Sequence, residues 1–249
     1  MRFALCLFSL AVGSRSRARG MSGKADLEAA VAAAYEDRGR VAASSVSVGG
    51  ETVEYLAAGP ADADRVVVFC HGAAFSARTW QSVGVLDALA ARGARAIALN
   101  LPGYGASSKT IAGGGKAGFL AAVAAALDLP AKFAVVAASM GGSYALPFVL
   151  DPGSYEVAGY ATAAGMIGDA APTTTPVLGV YGSEDSRLAS DRSKFGTQFA
   201  NSQLVVFADA PHPCYLRDVA AAKEFTALIV EFVTGDQAAG PGLDVHAAW

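Results

Sequence analysis

Hydrophobic residues fall into two kinds of run along this chain. Ser45–Val46–Ser47–Val48 alternates polar with apolar, Gly49–Gly50 interrupts, and Thr52–Val53–Glu54–Tyr55–Leu56 alternates again, which predicts a β-hairpin. From residue 65 the alternation stops. Arg65–Cys70, Ala94–Leu99 and Lys132–Ala137 are almost unbroken apolar runs, the pattern of strands buried on both faces. Val157–Ala163, Pro176–Tyr181 and Gln203–Phe207 extend the series. Helix-compatible stretches separate the runs: Trp80–Ala91, the segment from Gly113–Gly115 to Leu127, the residues from Ser139 to Asp151, Ser190–Phe199 and Val219–Val233. Strands alternating with helices from 65 to 233 predict an α/β fold. Its sheet is mostly parallel and doubly wound, with helices on both faces and antiparallel strands at its start.

Both ends fall outside this pattern. Residues 1–22 carry Arg2, an apolar stretch from Phe3 to Gly13 and then Ser14–Arg15–Ser16–Arg17–Ala18–Arg19–Gly20, too short an apolar run to span a membrane as a helix. It reads as a secretory or organelle targeting segment, or as an unprocessed disordered extension with Met21 as the true start. The compartment therefore stays open between cytoplasm and an organelle or secretory route. Residues 23–43 read as a marginal, alanine-rich helix or tether, 44–234 as the folded domain, and 235–249 as a disordered tail.

Composition narrows the partners. At 249 residues, 53% hydrophobic and 16% charged, the chain can bury one sizeable core. Its net charge is −3 with Lys and Arg scattered, which argues against a nucleic-acid groove or a polybasic membrane patch and for a small, near-neutral partner. Three cysteines far apart, Cys6, Cys70 and Cys214, give no disulfide framework and no metal-ligand spacing. Cys70 reads as a buried strand residue.

The chemistry gathers where strands end. Val135–Val136–Ala137–Ala138–Ser139–Met140–Gly141–Gly142 is an apolar run, a small-residue corner and the start of a helix. A serine there is lifted out of the sheet with helix N–H groups behind it, a place to attack a carbonyl. A plain tight β–α turn is the alternative. A serine nucleophile needs a base and an orienting acid. Of three histidines, His246 lies in the tail and His71 on the loop facing the serine, which leaves His212 as base. Asp185 is the preferred acid, just past the Pro176–Tyr181 run, with Glu184 and Asp209 as alternatives. An oxyanion would take the backbone N–H groups of Met140 and Ala73. His71 scaffolds its loop, and Cys214 beside His212 offers a competing reading as a reactive thiol.

The order Ser139, Asp185, His212 resembles the α/β-hydrolase superfamily from about Ser45 to Thr234. The likeness also rests on His71–Gly72, on Leu101–Pro102–Gly103–Tyr104–Gly105–Ala106–Ser107 and on Gly182–Ser183–Glu184–Asp185. Two positions depart from it. Ala137 stands at the first glycine of G-x-S-x-G, and Asn100 stands where many members carry Asp.

Thr79–Trp80–Gln81, Gly118–Val123, Ser143–Phe148 and His212–Pro213–Cys214–Tyr215–Leu216 are similar to one branch, the α/β-hydrolase domain-containing protein 14 family. That resemblance implies a small serine hydrolase acting on short acyl esters or amides. It also implies, as an alternative, a protein-lysine deacetylase that passes acetyl to coenzyme A, with no other cofactor. A non-catalytic interaction protein on the same fold is the reading from another class. Larger members of the superfamily insert a helical cap after the Val157–Ala163 run, yet here only Ala164–Thr175 is available. The expectation is no cap domain and an open, shallow site that admits an acylated lysine or another bulky acyl carrier.

Overall fold

The structure, a computed structural model, describes residues 41–111, 114–168 and 173–235. The expected targeting segment or extension at 1–22, most of the expected marginal helix or tether at 23–43 and the expected tail beyond Gly235 lie outside the described residues. In chain order the elements are β1 (Ala43–Val48), β2 (Glu51–Ala58), β3 (Val66–Cys70), α1 (Ala77–Ser82), α2 (Val85–Ala90), β4 (Arg95–Leu99), α3 (Lys116–Ala126), β5 (Lys132–Ala138), α4 (Gly142–Leu150), β6 (Glu156–Ala163), β7 (Val177–Gly182), α5 (Ala189–Gln198), β8 (Ser202–Phe207) and α6 (Val219–Thr234).

The strands form one sheet of eight in the order β1-β2-β4-β3-β5-β6-β7-β8. The hairpin pairs antiparallel with itself and with β4, and every later pairing is parallel. Alternate residues of the central strands feed opposite cores, which is why their sequences do not alternate. Val67 and Phe69 of β3 join Trp80, Leu86 and Leu89 of α1 and α2 and Phe225 and Ile229 of α6 on one face. Val66 and Val68 join Phe119 and Val123 of α3, Tyr144 and Phe148 of α4 and Phe195 of α5 on the other. Each such side chain, fully buried, contributes about 1.5–3 kcal/mol relative to exposure.

One expected helix is two. The run Trp80–Ala91 reads as a single helix, but Gly84 takes a left-handed backbone (φ 83°) between α1 and α2. Glycine reaches that conformation without a Cβ clash, so the chain turns there at little cost. The turn leaves Trp80 stacked on Tyr215 at 5.5 Å while Leu86 and Leu89 reach the same core.

Residues 164–176 connect β6 to β7. Its first residues are tied to β7 and α5: Ala164 N–H donates to the Val180 carbonyl at 2.8 Å, the Tyr181 hydroxyl to the Gly165 carbonyl at 2.7 Å, and Gln198 Nε2 to the Gly168 carbonyl at 2.7 Å. Among the described residues there is no cap domain. Among the described residues no helix is long and apolar enough to cross a membrane.

Candidate active site

β5 ends in the middle of the sheet, and Ser139–Gly141 make a single 3-10 turn before α4. Ser139 holds φ at +46°, a left-handed backbone that costs an L-residue about 1–2 kcal/mol and turns its side chain out of the corner. Gly141, two residues on, is forced to be small by close approach. A Cβ on Gly141 would lie 2.5 Å from the Cys70 carbonyl oxygen and 2.9 Å from that of His71, so the elbow fits under the end of β3 only as glycine. Ala137 is fully buried between Cys70 of β3 and Thr162 of β6, where one methyl group is tolerated in place of the motif's first glycine.

Asp185 and His212 are brought together by a zipper between two loops. After β7, Ser183 N–H donates to the Phe207 carbonyl at 2.9 Å and Glu184 N–H to the Ala210 carbonyl at 3.0 Å, while Asp209 N–H returns to Ser183 Oγ at 2.9 Å. Gly182 makes the approach possible, since a Cβ there would sit 2.2 Å from the Ala210 carbonyl oxygen. Across this seam His212 Nδ1 donates to Asp185 Oδ2 at 2.5 Å. The bond leaves Nε2 as the acceptor for the Ser139 hydroxyl, at 2.8 Å. Asp185 is the carboxylate on the histidine; Glu184 and Asp209 are exposed. Its second oxygen faces Arg187 Nε at 3.4 Å.

The loop after β3 lies against the elbow: a Cβ on Gly72 would be 3.5 Å from Ser139 Cβ and 3.7 Å from the Ala138 carbonyl. His71 is fully buried and scaffolds that loop, its Nδ1 donating to the Gly72 carbonyl at 2.9 Å and its Nε2 accepting from Leu101 N–H at 3.1 Å. Both ring nitrogens are thereby committed to backbone, which leaves no role in proton transfer. Ala73 is on the exposed turn that follows, and Met140 directly follows the serine. On the far side of the elbow, Ser143 Oγ donates to the Met140 carbonyl at 2.7 Å and accepts from Lys116 Nζ at 3.0 Å.

Cys214 turns away from this chemistry. It is buried, its thiol directed at the Val180 carbonyl at 3.8 Å, and desolvation pushes its pKa up to about 12. A thiol so protonated is a poor nucleophile.

The model of the alpha/beta hydrolase family matches residues 67–249. The chain belongs to that family. Its similarity is specific to one branch: ABHD14B of Rattus norvegicus, whose name proposes a protein-lysine deacylase, is 36% identical over 186 residues, covering 69% of this chain and 87% of the relative. Human ABHD14A is 36% identical over 165 residues, covering 60% of this chain and 58% of that protein. Among solved structures, a CIB-like hydrolase from Thermoplasma acidophilum superposes with a TM-score of 0.68 at 20% identity, over 78% of this chain and 97% of the other. The epoxide hydrolase VrEH1 from Vigna radiata gives 0.65 at 14%, over 80% and 100%. At such identities the likeness speaks to the fold alone.

For this α/β hydrolase the sequence names the three hydrogen-bonded side chains but not what holds their surroundings. Tyr104 is the clearest omission. It belongs to the Leu101–Ser107 loop, and its hydroxyl donates to the Ala73 carbonyl at 2.8 Å and lies 3.6 Å from Met140 Sδ. The only signal in the chain was an aromatic residue between two glycines, which carries no information about contacts to other loops.

Proposed function

We propose that this protein is a serine acyl hydrolase working through an acyl-Ser139 intermediate. The observation that carries the reading is the unbroken hydrogen-bond chain Asp185–His212–Ser139. Ser139 Oγ attacks the acyl carbonyl and passes its proton to His212 Nε2, while Asp185 holds the ring in the required tautomer and offsets the charge it gains. The carbonyl oxygen becomes an oxyanion held by the N–H groups of Ala73 and Met140. As the tetrahedral intermediate collapses, the bond to the alcohol or amine breaks and that leaving group takes the proton from Nε2. Water, deprotonated by the same nitrogen, then releases the acid and restores the serine.

The absence of a cap among the described residues and the names of the relatives support a reading of the substrate class. Residues 164–168, the first part of the β6–β7 connection, are tied to β7 and α5, and no cap helix stands between those strands among the described residues. An acyl group can be delivered on a large carrier, and the name of ABHD14B proposes an acylated lysine as that carrier. Coenzyme A in place of water in the second half-reaction would make the same site a transferase.

The test is turnover of a short-chain ester and of acetyl-lysine peptides by the purified protein, with and without coenzyme A. Ser139→Ala is expected to lower kcat by about four orders of magnitude or more and to abolish labelling by a fluorophosphonate. Labelling that persists in Ser139→Ala overturns the reading. Acetyl-coenzyme A as the product identifies the transferase.

A further inference from the structure

We infer that Tyr104 is a positioning residue for the oxyanion site, coupling the two loops that supply its donors. The inference rests on the serine mechanism above. Because no peptide bond among the described residues is cis, the carbonyl and N–H of each peptide point in opposite directions. The Gly72 carbonyl is held by His71 Nδ1 at 2.9 Å and by Phe75 N–H at 3.0 Å, which aims the Ala73 N–H of the same peptide away from them. That peptide alone does not fix the turn, since Ala73 and Ala74 are both exposed. The following peptide is held by Tyr104, whose hydroxyl donates to the Ala73 carbonyl at 2.8 Å. Two successive peptides, flanking Ala73 on either side, are thus pinned by side chains.

The same hydroxyl lies 3.6 Å from Met140 Sδ, so one group touches both residues whose N–H would meet the oxyanion. Tyr104 is itself well supported. Its ring stands edge-on to His71 at 4.6 Å, its N–H closes a turn onto the Leu101 carbonyl at 2.9 Å, and Leu101 N–H is the bond on His71 Nε2. The loop after β4 therefore acts as a strut between the ends of β3 and β5. Rate enhancement by oxyanion donors depends on their being fixed before charge develops, and a donor free to swing loses part of its effect.

Tyr104→Phe isolates the hydroxyl, because the ring keeps its contact with His71. The full chain is assayed with p-nitrophenyl acetate, alongside fluorophosphonate labelling of Ser139, thermal melting and binding of an alkyl boronic acid, a mimic of the tetrahedral intermediate. Expected for Tyr104→Phe is a roughly tenfold fall in kcat with KM nearly unchanged, a parallel weakening of boronate binding, and a melting temperature close to that of the unaltered protein. A purely structural role would lower the melting temperature and leave kcat per folded molecule intact. Tyr104→Leu, which also removes the ring, is expected to lose more activity as well as stability. Unchanged kcat in Tyr104→Phe, or a loss in KM alone, overturns the inference while the serine mechanism stands. If Ser139 of the unaltered protein is not labelled, both fall together.

Discussion

Asn100 and Glu54 face each other through a short hydrogen bond, Asn100 Nδ2 donating to Glu54 Oε2 at 2.5 Å. The same amide accepts from Ala77 N–H through Oδ1 at 2.8 Å, and Glu54 Oε2 also takes Ala106 N–H at 2.9 Å. Gly105 closes over the pair, with no room for a Cβ, which would lie 2.2 Å from both Asn100 Nδ2 and Glu54 Oε2. Where many α/β hydrolases carry Asp before Leu-Pro-Gly, this chain has a neighbouring carboxylate on β2, and the amide both accepts from Ala77 and donates to Glu54, which an ionised Asp cannot do.

Asn100→Asp is therefore expected to destabilise the fold by about 1–3 kcal/mol near neutral pH, through one lost donor and two carboxylates in contact. The new carboxyl, facing a like charge, has its folded pKa raised above the unfolded value. Its penalty is present above that raised pKa and fades as pH falls through it, where a shared proton restores a donor. Urea unfolding of both proteins at neutral and mildly acidic pH checks this; a deficit that grows on acidification would contradict it.

The seam between the β7 and β8 loops gives a second expectation. Gly182→Ala forces a Cβ against the Ala210 carbonyl and should part the loops that carry Asp185 and His212. A stability loss of about 1–3 kcal/mol accompanies such overpacking. Fluorophosphonate labelling of Ser139 should slow by more than the unfolded fraction explains. Labelling at the ordinary rate would show that the seam does not position His212.

Thiol chemistry supplies a third. Burial pushes the thiols of Cys70 and Cys214 up to about 12, so iodoacetamide at ~pH 8 should modify neither in the folded protein and both after denaturation. Cys214→Ser should retain the active-site chemistry, apart from any loss of stability at a packed position. Peptide mapping of the alkylated protein, with kcat of the variant corrected for its folded fraction, decides between this and a catalytic thiol.

Much of the scaffold is legible in the chain because burial leaves a periodic trace. Val66–Cys70 and Phe133–Ala138 are apolar throughout since odd and even residues enter different cores, and the Gly49–Gly50 break marks the hairpin directly. Ser139 and His212 could be singled out by type and position, His212 because there were few histidines to choose from. What stayed hidden depends on contacts distant in sequence. The bend at Gly84 needs a backbone angle that a glycine permits but does not demand. The partnership of Glu54 with Asn100, the seam at Gly182 and the reach of Tyr104 to Ala73 arise only when strands far apart in the chain become neighbours. Patterning shows which face a residue presents and is silent on which loop it meets.

Ser139 and His212, the proposed nucleophile and base, do not share the same security. Ser139 follows β5, flanked by β3 and β6 inside the sheet, whereas His212 follows β8, which among the described residues has β7 as its only strand neighbour and leaves Leu204 39% and Val206 42% exposed. Outer strands open at lower free energy than inner ones. Warming should therefore unhook the proton acceptor while the serine corner is still intact, so that the protein falls silent reversibly before it melts, and a ligand bridging both loops would preserve activity more than it raises the melting point.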